Sequence, residues 1–489
     1  MRIRAAPLLA ALGLLVAGCG GGGGGNALPA AADVVPASAP VLISLNTDFS
    51  STQWKRELAL VRKFPGAAGL LRQASSEAGN VDFEHDVKPA LGPEVDVVWL
   101  DFGNGGNDVV ALTQPKDEQR FATLVKKGNS TGGSQLVTAR IGGWIIAADS
   151  RTKLDRFRHA ASSGKSLAGD DAFKEAMDKL DEASAVRAYV AGAPVQQALD
   201  RALESDGARP SLTRGLAAME SISASALVEN GGVRAEAALA TEPAAKPKTY
   251  APSLTDTLPA GALLYVSTAN LADPARTIDE LVARSNPTYE TQKSRVETVL
   301  GLTLEGDIFP LISGEQAIAV YPAKRIPKVV FVTKVPDEER AKRLVDRLLT
   351  LARLGGLGVT AFSVGGTTVS DLTQPGSSVH GFVAVTGGKL IISSARDTLA
   401  TLIQGKGRKL ADDRLYREAR AKAHPPEKVV AMVYGDLAQG LPFAFDLAEA
   451  RGDIVPPEAR QNTRPLKEAL LYATQDGNRL RVSGFLTIK

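Results

Sequence analysis

The 489-residue chain contains one cysteine, Cys19, and this scarcity excludes an intramolecular disulfide and any thiolate metal cluster. Core packing alone must hold the fold together. Aromatic residues make up only 5% of the chain, too few for base-stacking surfaces, so Ala, Val, Leu and Ile must fill its cores. Charge of one sign is missing too. The formal net charge is +3, and Arg2 and Arg4 lie ahead of residue 19, so the remainder is near neutral and has no electrostatic footprint for nucleic acid. The four histidines, at 85, 159, 380 and 424, are few for a hydrolase that needs an imidazole base. There is no Gly-x-Ser-x-Gly elbow, no His-Glu-x-x-His pair and no dinucleotide loop. After residue 16 no apolar run approaches the roughly 20 residues of a membrane-spanning helix.

With 44% hydrophobic and 23% charged residues the composition is that of a globular protein, long enough for roughly two to four domains. The 47 glycines and 27 prolines point to many tight turns. At the N-terminus, Arg2 and Arg4 precede an apolar run over residues 5–16, and small residues Ala17 and Gly18 come just before Cys19. That is the order of a secretory signal peptide, here residues 1–18. The tetrad Val16-Ala17-Gly18-Cys19 resembles the bacterial lipobox, in which cleavage falls between Gly18 and Cys19 and the thiol and new amine are acylated. Several acyl chains on one residue give stable anchoring where a single chain is marginal. Residues 19–33, with glycine from Gly20 to Gly25, then read as a lipidated Cys followed by a flexible tether. The expected location is extracytoplasmic, with the membrane as partner through the acyl chains.

The rest of the chain is duplicated. "VDFEHDVKPALGPE" (81–94) matches "LTLEGDIFPLISGE" (302–315) without a gap, aligning Glu84 with Glu305, Asp86 with Asp307, Pro89 with Pro310 and Glu94 with Glu315. In the same order, "VVPASAPVLISLN" echoes "TLPAGALLYVSTAN", "VALTQPKDEQRFATLV" echoes "VFVTKVPDEERAKRLV", "IGGWIIAADSRTKL" echoes "TGGKLIISSARDTL", and "LAGDDAFKEA" echoes "LADDRLYREA". Both copies close in a hairpin, with turns expected at Asn230-Gly231 and Asp476-Gly477 as type I′. The reading is two repeats, 34–240 and 254–489, joined by a Pro/Ala/Lys linker at 241–253. The second carries an extra alternating hairpin, "VTAFSVGGTTVSDL", from Val359.

Strand-like runs such as "ALLYVSTA", "QAIAVYP" and "KVVFVTK" are interleaved with amphipathic segments, and Asp117 and Asp337 stand where helix N-caps belong. This order predicts an α+β fold, each repeat a mainly antiparallel sheet with helices packed on one face. The strands are more apolar than a half-exposed sheet needs, so the second face is expected to be covered or to line a cavity.

Candidate chemistry is sparse. Glu84, His85 and Asp86 could ligate a metal, but the second repeat keeps both acids and replaces the histidine with Gly306, so capping explains them. Ser162-x-x-Lys165 has the spacing of a penicillin-binding nucleophile without the partner motifs, and Gly164-Lys165-Ser166 lacks the upstream glycine of a phosphate loop, where His159 stands. Asp101-Phe102-Gly103 has no kinase loops around it, and Arg451-Gly452-Asp453 lies in a charged loop flanked by prolines. His380 opens a strand and His424 precedes Pro425-Pro426, positions that suit solvated side chains. No catalytic, metal or cofactor residue is assigned.

The lipobox together with "LPAGALLYVSTA", "EGDIFPLISGE" and the Gly-Gly hairpin leading to "IISSARDTL" resembles an uncharacterised bacterial family, domain-of-unknown-function three-three-five-two. The resemblance implies an exported or membrane-tethered protein. It carries no catalytic residues over. The leading expectation is a non-catalytic envelope protein that binds a protein, lipid or cell-wall partner. A carboxylate-dependent hydrolase of envelope polymers and a structural spacer are the alternatives. Replacing Cys19→Ala should release the protein from membranes or leave it unprocessed, read by fractionation and metabolic fatty-acid labelling; a lipid-labelled, membrane-bound product refutes the anchor.

Overall fold

The alternation in "VLISLN" and "LYVSTA" sends successive side chains to opposite sides of a sheet, and both segments lie at the heart of their repeats. The computed structural model describes residues 28–69, 72–73, 81–102, 106–130, 135–205, 218–242, 247–324, 326–377 and 379–489. The first repeat supplies strands β1 (Val41–Asn46), β2 (Glu94–Trp99), β3 (Val109–Thr113), β4 (Val137–Ile141), β5 (Trp144–Ala148), β6 (Val186–Ala191), β7 (Ala218–Glu229) and β8 (Gly232–Glu242). Its helices are α1 (Thr52–Val61), α2 (Glu118–Asn129), α3 (Arg151–Ser163), α4 (Asp171–Met177) and α5 (Gly192–Ser205).

The second repeat supplies β9 (Leu264–Ala269), β10 (Glu315–Tyr321), β11 (Lys328–Lys334), β12 (Gly358–Val364), β13 (Thr367–Thr373), β14 (His380–Thr386), β15 (Lys389–Ser393), β16 (Ala431–Asp436), β17 (Leu466–Asp476) and β18 (Arg479–Ile488). Its helices are α6 (Ala272–Ser285), α7 (Tyr289–Leu300), α8 (Glu338–Leu354), α9 (Arg396–Gln404), α10 (Arg414–Ala423), α11 (Leu437–Ala450) and α12 (Pro457–Thr463), with a short turn at Phe309–Leu311.

All the strands belong to one 18-stranded sheet in which the pairings between named strands are antiparallel. The first repeat runs β4-β5-β3-β2-β1-β6-β7-β8 and the second runs β14-β15-β11-β10-β9-β16-β17-β18, the same order in equivalent strands. Strand β8 pairs with β18, from Gly232↔Thr487 to Ala240↔Arg479. Because equivalent edge strands meet antiparallel, a local two-fold axis relates the repeats, and Glu236 faces its own counterpart, Ser483. The join is reinforced in both directions. Arg234 of β8 donates to the Lys422 and Ala423 carbonyls at the end of α10, and Arg479 of β18 pairs with Glu175 on the equivalent helix α4. The extra hairpin β12–β13 adds to β14, the strand equivalent to edge strand β4.

Helices cover both faces of the sheet, not one. On the back face, Leu42, Val98, Leu112 and Tyr189 pack with α3 and α4, and Tyr265, Val330, Met432 and Phe485 pack with α9 and α10. On the front face α1 and α2 cover the first repeat, and α8 covers the outer strands of the second. Asp117 and Asp337 cap α2 and α8 as their positions require. The Gly142-Gly143, Gly365-Gly366 and Gly387-Gly388 turns have positive φ at both residues. The two long closing hairpins differ from expectation: the second turns at Gly477-Asn478, one residue later, and each has positive φ at its glycine only, so neither is type I′.

Ordered structure also begins ahead of Val34. Ala31 and Ala32, in a 3-10 turn, are fully buried, and Glu94 accepts a hydrogen bond from the Ala31 amide at 3.2 Å. Its repeat equivalent Glu315 accepts from the Ser253 and Leu254 amides at 2.8 and 2.9 Å. The glutamate of the duplicated motif therefore ties each repeat's entry segment to its sheet.

Under that anchor the repeats diverge. Asp96 and Arg187 are buried beside Ser44 on adjacent strands, and their counterparts across β9 are Ala317 and Met432 beside Ser267. Burial, with Glu94 adding to it, pushes the Asp96 carboxyl well above the usual range. Arg187→Met alone should destabilise the protein by about 3 kcal/mol in urea unfolding, because it removes the cation that faces buried Asp96 and pairs with Glu94. Adding Asp96→Ala, which copies the second repeat, should bring stability back to within about 1 kcal/mol of wild type. A double variant as unstable as the single one refutes this account.

Candidate functional site

One line of directly opposed front-face residues crosses six strands of the second repeat: Leu471, Val433, Val266, Ile318, Phe331 and Ile392. At about 4.8 Å per strand the row is about 24 Å long. Every member is a large hydrocarbon. The equivalent row of the first repeat is Ala224, Ala188, Ile43, Val97, Ala111 and Ala147.

Burial runs opposite to size. Ile392 is 40% exposed and its counterpart Ala147 only 9%; Leu264 of β9 is 38% exposed and its counterpart Val41 9%. Ile318, at the centre of the row, is 43% exposed. The difference lies in what sits above the sheet. In the first repeat Phe49, Trp54 and Phe83 form an aromatic cluster, with centroids 4.8 to 5.7 Å apart, packed on Leu45 and Val95 and against Ile43. Trp54 belongs to α1, which is seated by the Gln53 amide donating to the Val228 carbonyl at 2.7 Å.

Continuing the alignment without a gap from β1 and β9 sets Ala272 and Thr277 against Phe49 and Trp54, while Leu304 matches Phe83. The plug is absent. Helix α6 buries Ala272 at its start, and Ile278 stays exposed. The next helix, α7, buries none of its residues. Helix α11, with Phe443 and Phe445, also buries none and leads from β16 to α12 and β17. The site is an open apolar sheet face in one copy of a unit whose other copy carries smaller residues there and an aromatic cover beside them, over Leu45 and Val95. Sequence reading missed its location, although the Ala-to-large exchanges were visible signals.

The residues singled out by motif are elsewhere. Gly18 and Cys19 lie outside the described residues, as does Gly103 of Asp101-Phe102-Gly103. Asp82 and Thr303 each cap a π-helical turn, and Asp86 and Asp307 reach back to accept from those residues' amides at 2.7 and 2.8 Å. Asp86 also binds Lys127, and Glu84 binds Lys88 at 2.8 Å. These are capping carboxylates, and no group of three or more metal-ligating side chains occurs among the described residues. Ser162 ends α3, its hydroxyl donating to the His159 carbonyl. Arg451-Gly452 is a turn after α11. His380 is exposed, stacked on Phe382 with Nδ1 2.8 Å from Asp371, and His424 is the left-handed cap of α10.

A hollow of about 580 Å³ lies beside α3, lined among others by Pro36, Leu100, Asp155, Arg156 and His159. Its cation is committed: Arg156 donates to both Asp101 and Asp108. Two carboxylates joined to one guanidinium make a structural clamp. No described helix is long and apolar enough to cross a membrane.

A family model described as a protein of unknown function, DUF3352, matches residues 3–468. The chain belongs to that family. Three crystal forms of TP0453 (IV, III and I) are similar in structure at 11%, 10% and 12% identity, covering 49%, 50% and 49% of this chain and 94%, 96% and 94% of that one. Their TM-scores are 0.25, 0.24 and 0.23. No curated protein matches in sequence.

Within this DUF3352 protein the seated helix α1 carries a second feature. Glu57 is buried with both carboxylate oxygens unpartnered, and burial pushes its pKa up to about 8 against a small opposing effect of Gln53. The folded state therefore holds a proton that the unfolded chain has released above about pH 4.5, and that residue's contribution to stability falls by about 1.4 kcal/mol per pH unit up to about pH 8. Glu57→Gln should remove this slope, so the variant gains on wild type between pH 5 and pH 8 in urea midpoints. A constant difference across that range refutes it.

Proposed function

We propose that the chain is an extracytoplasmic protein, held at a membrane by acylated Cys19, that binds an apolar ligand on the open sheet face of its second repeat without transforming it. The observation that carries this reading is the contrast between repeats. A fold that fills a space in one copy and leaves a larger-residued, wetter surface in the other has a surface built to be covered. The row from Leu471 to Ile392 offers no hydrogen-bonding side chain. A polar cell-wall polymer would lose its hydration there without replacement, whereas a hydrocarbon loses nothing. The near-neutral chain and the capping role of its duplicated acids fit a binder better than a hydrolase.

The anchor and the site support one another. A lipidated N-terminus keeps the body close to a membrane, where apolar molecules are concentrated. In a form lacking residues 1–19, an apolar fluorescent dye such as 8-anilinonaphthalene-1-sulfonate should bind the native protein with enhanced emission. Ile318→Asp, at an exposed position, should weaken that binding about tenfold with an unchanged thermal midpoint. Equal dye binding by the two proteins would falsify the assignment of the site.

A further inference from the structure

We infer that the chain forms a symmetric dimer by pairing the free edge of β12 with β12 of a second copy, antiparallel about Ala361. The inference is independent of the apolar ligand and concerns the inserted hairpin, which the first repeat does without.

The hairpin turns at Gly365-Gly366, both with positive φ, and Val364 stands opposite Thr367 across that two-residue loop. Such a loop is closed by a pair that exchanges both backbone bonds, and hydrogen-bonded pairs alternate from there. Val364, Phe362, Thr360 and Gly358 therefore direct their amides and carbonyls to β13. Ser363, Ala361 and Val359 aim theirs the other way. Among the described residues β12 pairs with β13 alone, so no strand meets them there. Ala361 and Ser363 are exposed and Val359 is half-buried, which shows that neither α8 in front nor α9 behind closes the edge.

Sheet edges are ordinarily blunted by charge, proline, bulges or shortness. The first repeat obeys this rule: its edge strand β4 has five residues, and Arg140 on it pairs with Glu118 at 3.0 Å. The insertion covers the equivalent strand β14 but ends the sheet in β12, "GVTAFSV", seven residues in unbroken register with β13 and without a charge or a proline. An insertion that served only to protect β14 gains nothing from an edge of this kind. Apolar side chains stand in water beside it. Leu354 and Leu357, in the segment leading into β12, are 81% and 37% exposed.

The outward groups of β12 are complementary to themselves. Antiparallel pairing about Ala361 sets that residue opposite Ala361 of the second copy, and Val359 and Ser363 opposite Ser363 and Val359 of the second copy, in pairs that each exchange two backbone bonds. At the alternate positions Thr360 meets Phe362, a favourable aromatic–β-branched pair, and Gly358 meets Val364. No like charges on the strand oppose one another, and Leu357 comes opposite Gly365, which has no side chain to obstruct it. A two-fold interface needs a patch that fits itself. The chain already joins its own repeats in this way, through the equivalent edges β8 and β18. The pairing also extends the front face, because Ile392, Val383, Ser370 and Ala361 are directly opposed across β15, β14, β13 and β12. The line of the apolar row thus runs through Ala361, and the rows of two paired copies fall on one line.

The test uses the form lacking residues 1–19, which has no cysteine. Sedimentation velocity over a concentration series should show a monomer–dimer equilibrium. Ala361→Lys, at an exposed position, sets two like charges opposite each other and should weaken dimerisation about tenfold with an unchanged thermal midpoint. Ala361→Pro removes the central amide donor at an edge position, where proline is tolerated, and should do the same. Ala361→Cys should form a disulfide-linked dimer under mild oxidation, because hydrogen-bonded antiparallel pairs hold their Cα atoms about 5.5 Å apart. Thr291→Cys, equally exposed on α7, should not. A dimer that both Ala361→Lys and Ala361→Pro leave intact, or equal cross-linking at the two cysteines, overturns the pairing. A monomer at every concentration overturns it too and leaves β12 to a strand of another protein. Loss of the dimer in Ile318→Asp but not in Ala361→Lys assigns the contact to the apolar face and likewise overturns the edge.

Discussion

The pairing of β8 with β18 is the constraint on which the rest of the structure depends. Each repeat ends in a long hairpin whose last strand would otherwise be an open edge with a row of unpaired amides and carbonyls. Antiparallel pairing of two equivalent edges satisfies both at once and fixes the repeats about a two-fold axis. Every other relation between the copies follows from it. The front faces become one continuous surface, and Arg234 and Arg479 find the equivalent helices of the opposite repeat. The outer edges are then left as β4 and β12, and the inserted hairpin β12–β13 covers the second repeat's counterpart of β4.

Much of this was legible in the chain. The duplication, the strand and helix order, the Gly-Gly hairpins and the Asp117 and Asp337 caps follow from local rules: alternation of period two, positive φ at paired glycines, and carboxylates that satisfy orphan amides. The extra hairpin near Val359 was visible as an alternating segment without a partner in the first repeat. Other features needed three dimensions. "VENGGV" gives its two turn residues, but nothing in "TQDGNR" tells which two make the turn, because register is set by the partner strand. The buried pair Asp96 and Arg187 looks in sequence like two surface charges, since only the sheet brings them next to each other. The π-helical turns that absorb Asp86 and Asp307 are equally invisible, although their matched positions pointed to capping.

The open face is the most instructive miss. Apolar strands predicted that the second sheet face would be covered or would line a cavity; the first repeat covers part of it, and the second leaves it open. The first covers part of it with Trp54, Phe49 and Phe83 over Leu45 and Val95; the second has Thr268 and Gln316 at those two positions and enlarges the row beside them. Read one repeat at a time, both patterns are ordinary cores. Only the residue-by-residue register, Ala188 against Val433, Ala111 against Phe331, Ala147 against Ile392, shows that large side chains and large exposure coincide.

Duplication explains how such a surface can persist in a stable protein. An isolated unit with an uncovered apolar face would lose part of its hydrophobic stabilisation and risk association through that face. Here the back-face cores, the plugged front of the first repeat and the shared β8–β18 ladder supply stability that does not depend on the second repeat's front. One copy can therefore keep the structure while the other gives up its filling. The buried Glu57 fits the same division: the cost of an unpartnered carboxylate is borne by the helix packed on the plugged face, while its counterpart Glu280 stands in solvent on α6. Had Glu280 been as deeply buried as Glu57, the second repeat would carry the same desolvation cost. Its exposed pairing with Arg284 keeps the first helix of the second repeat free of that penalty.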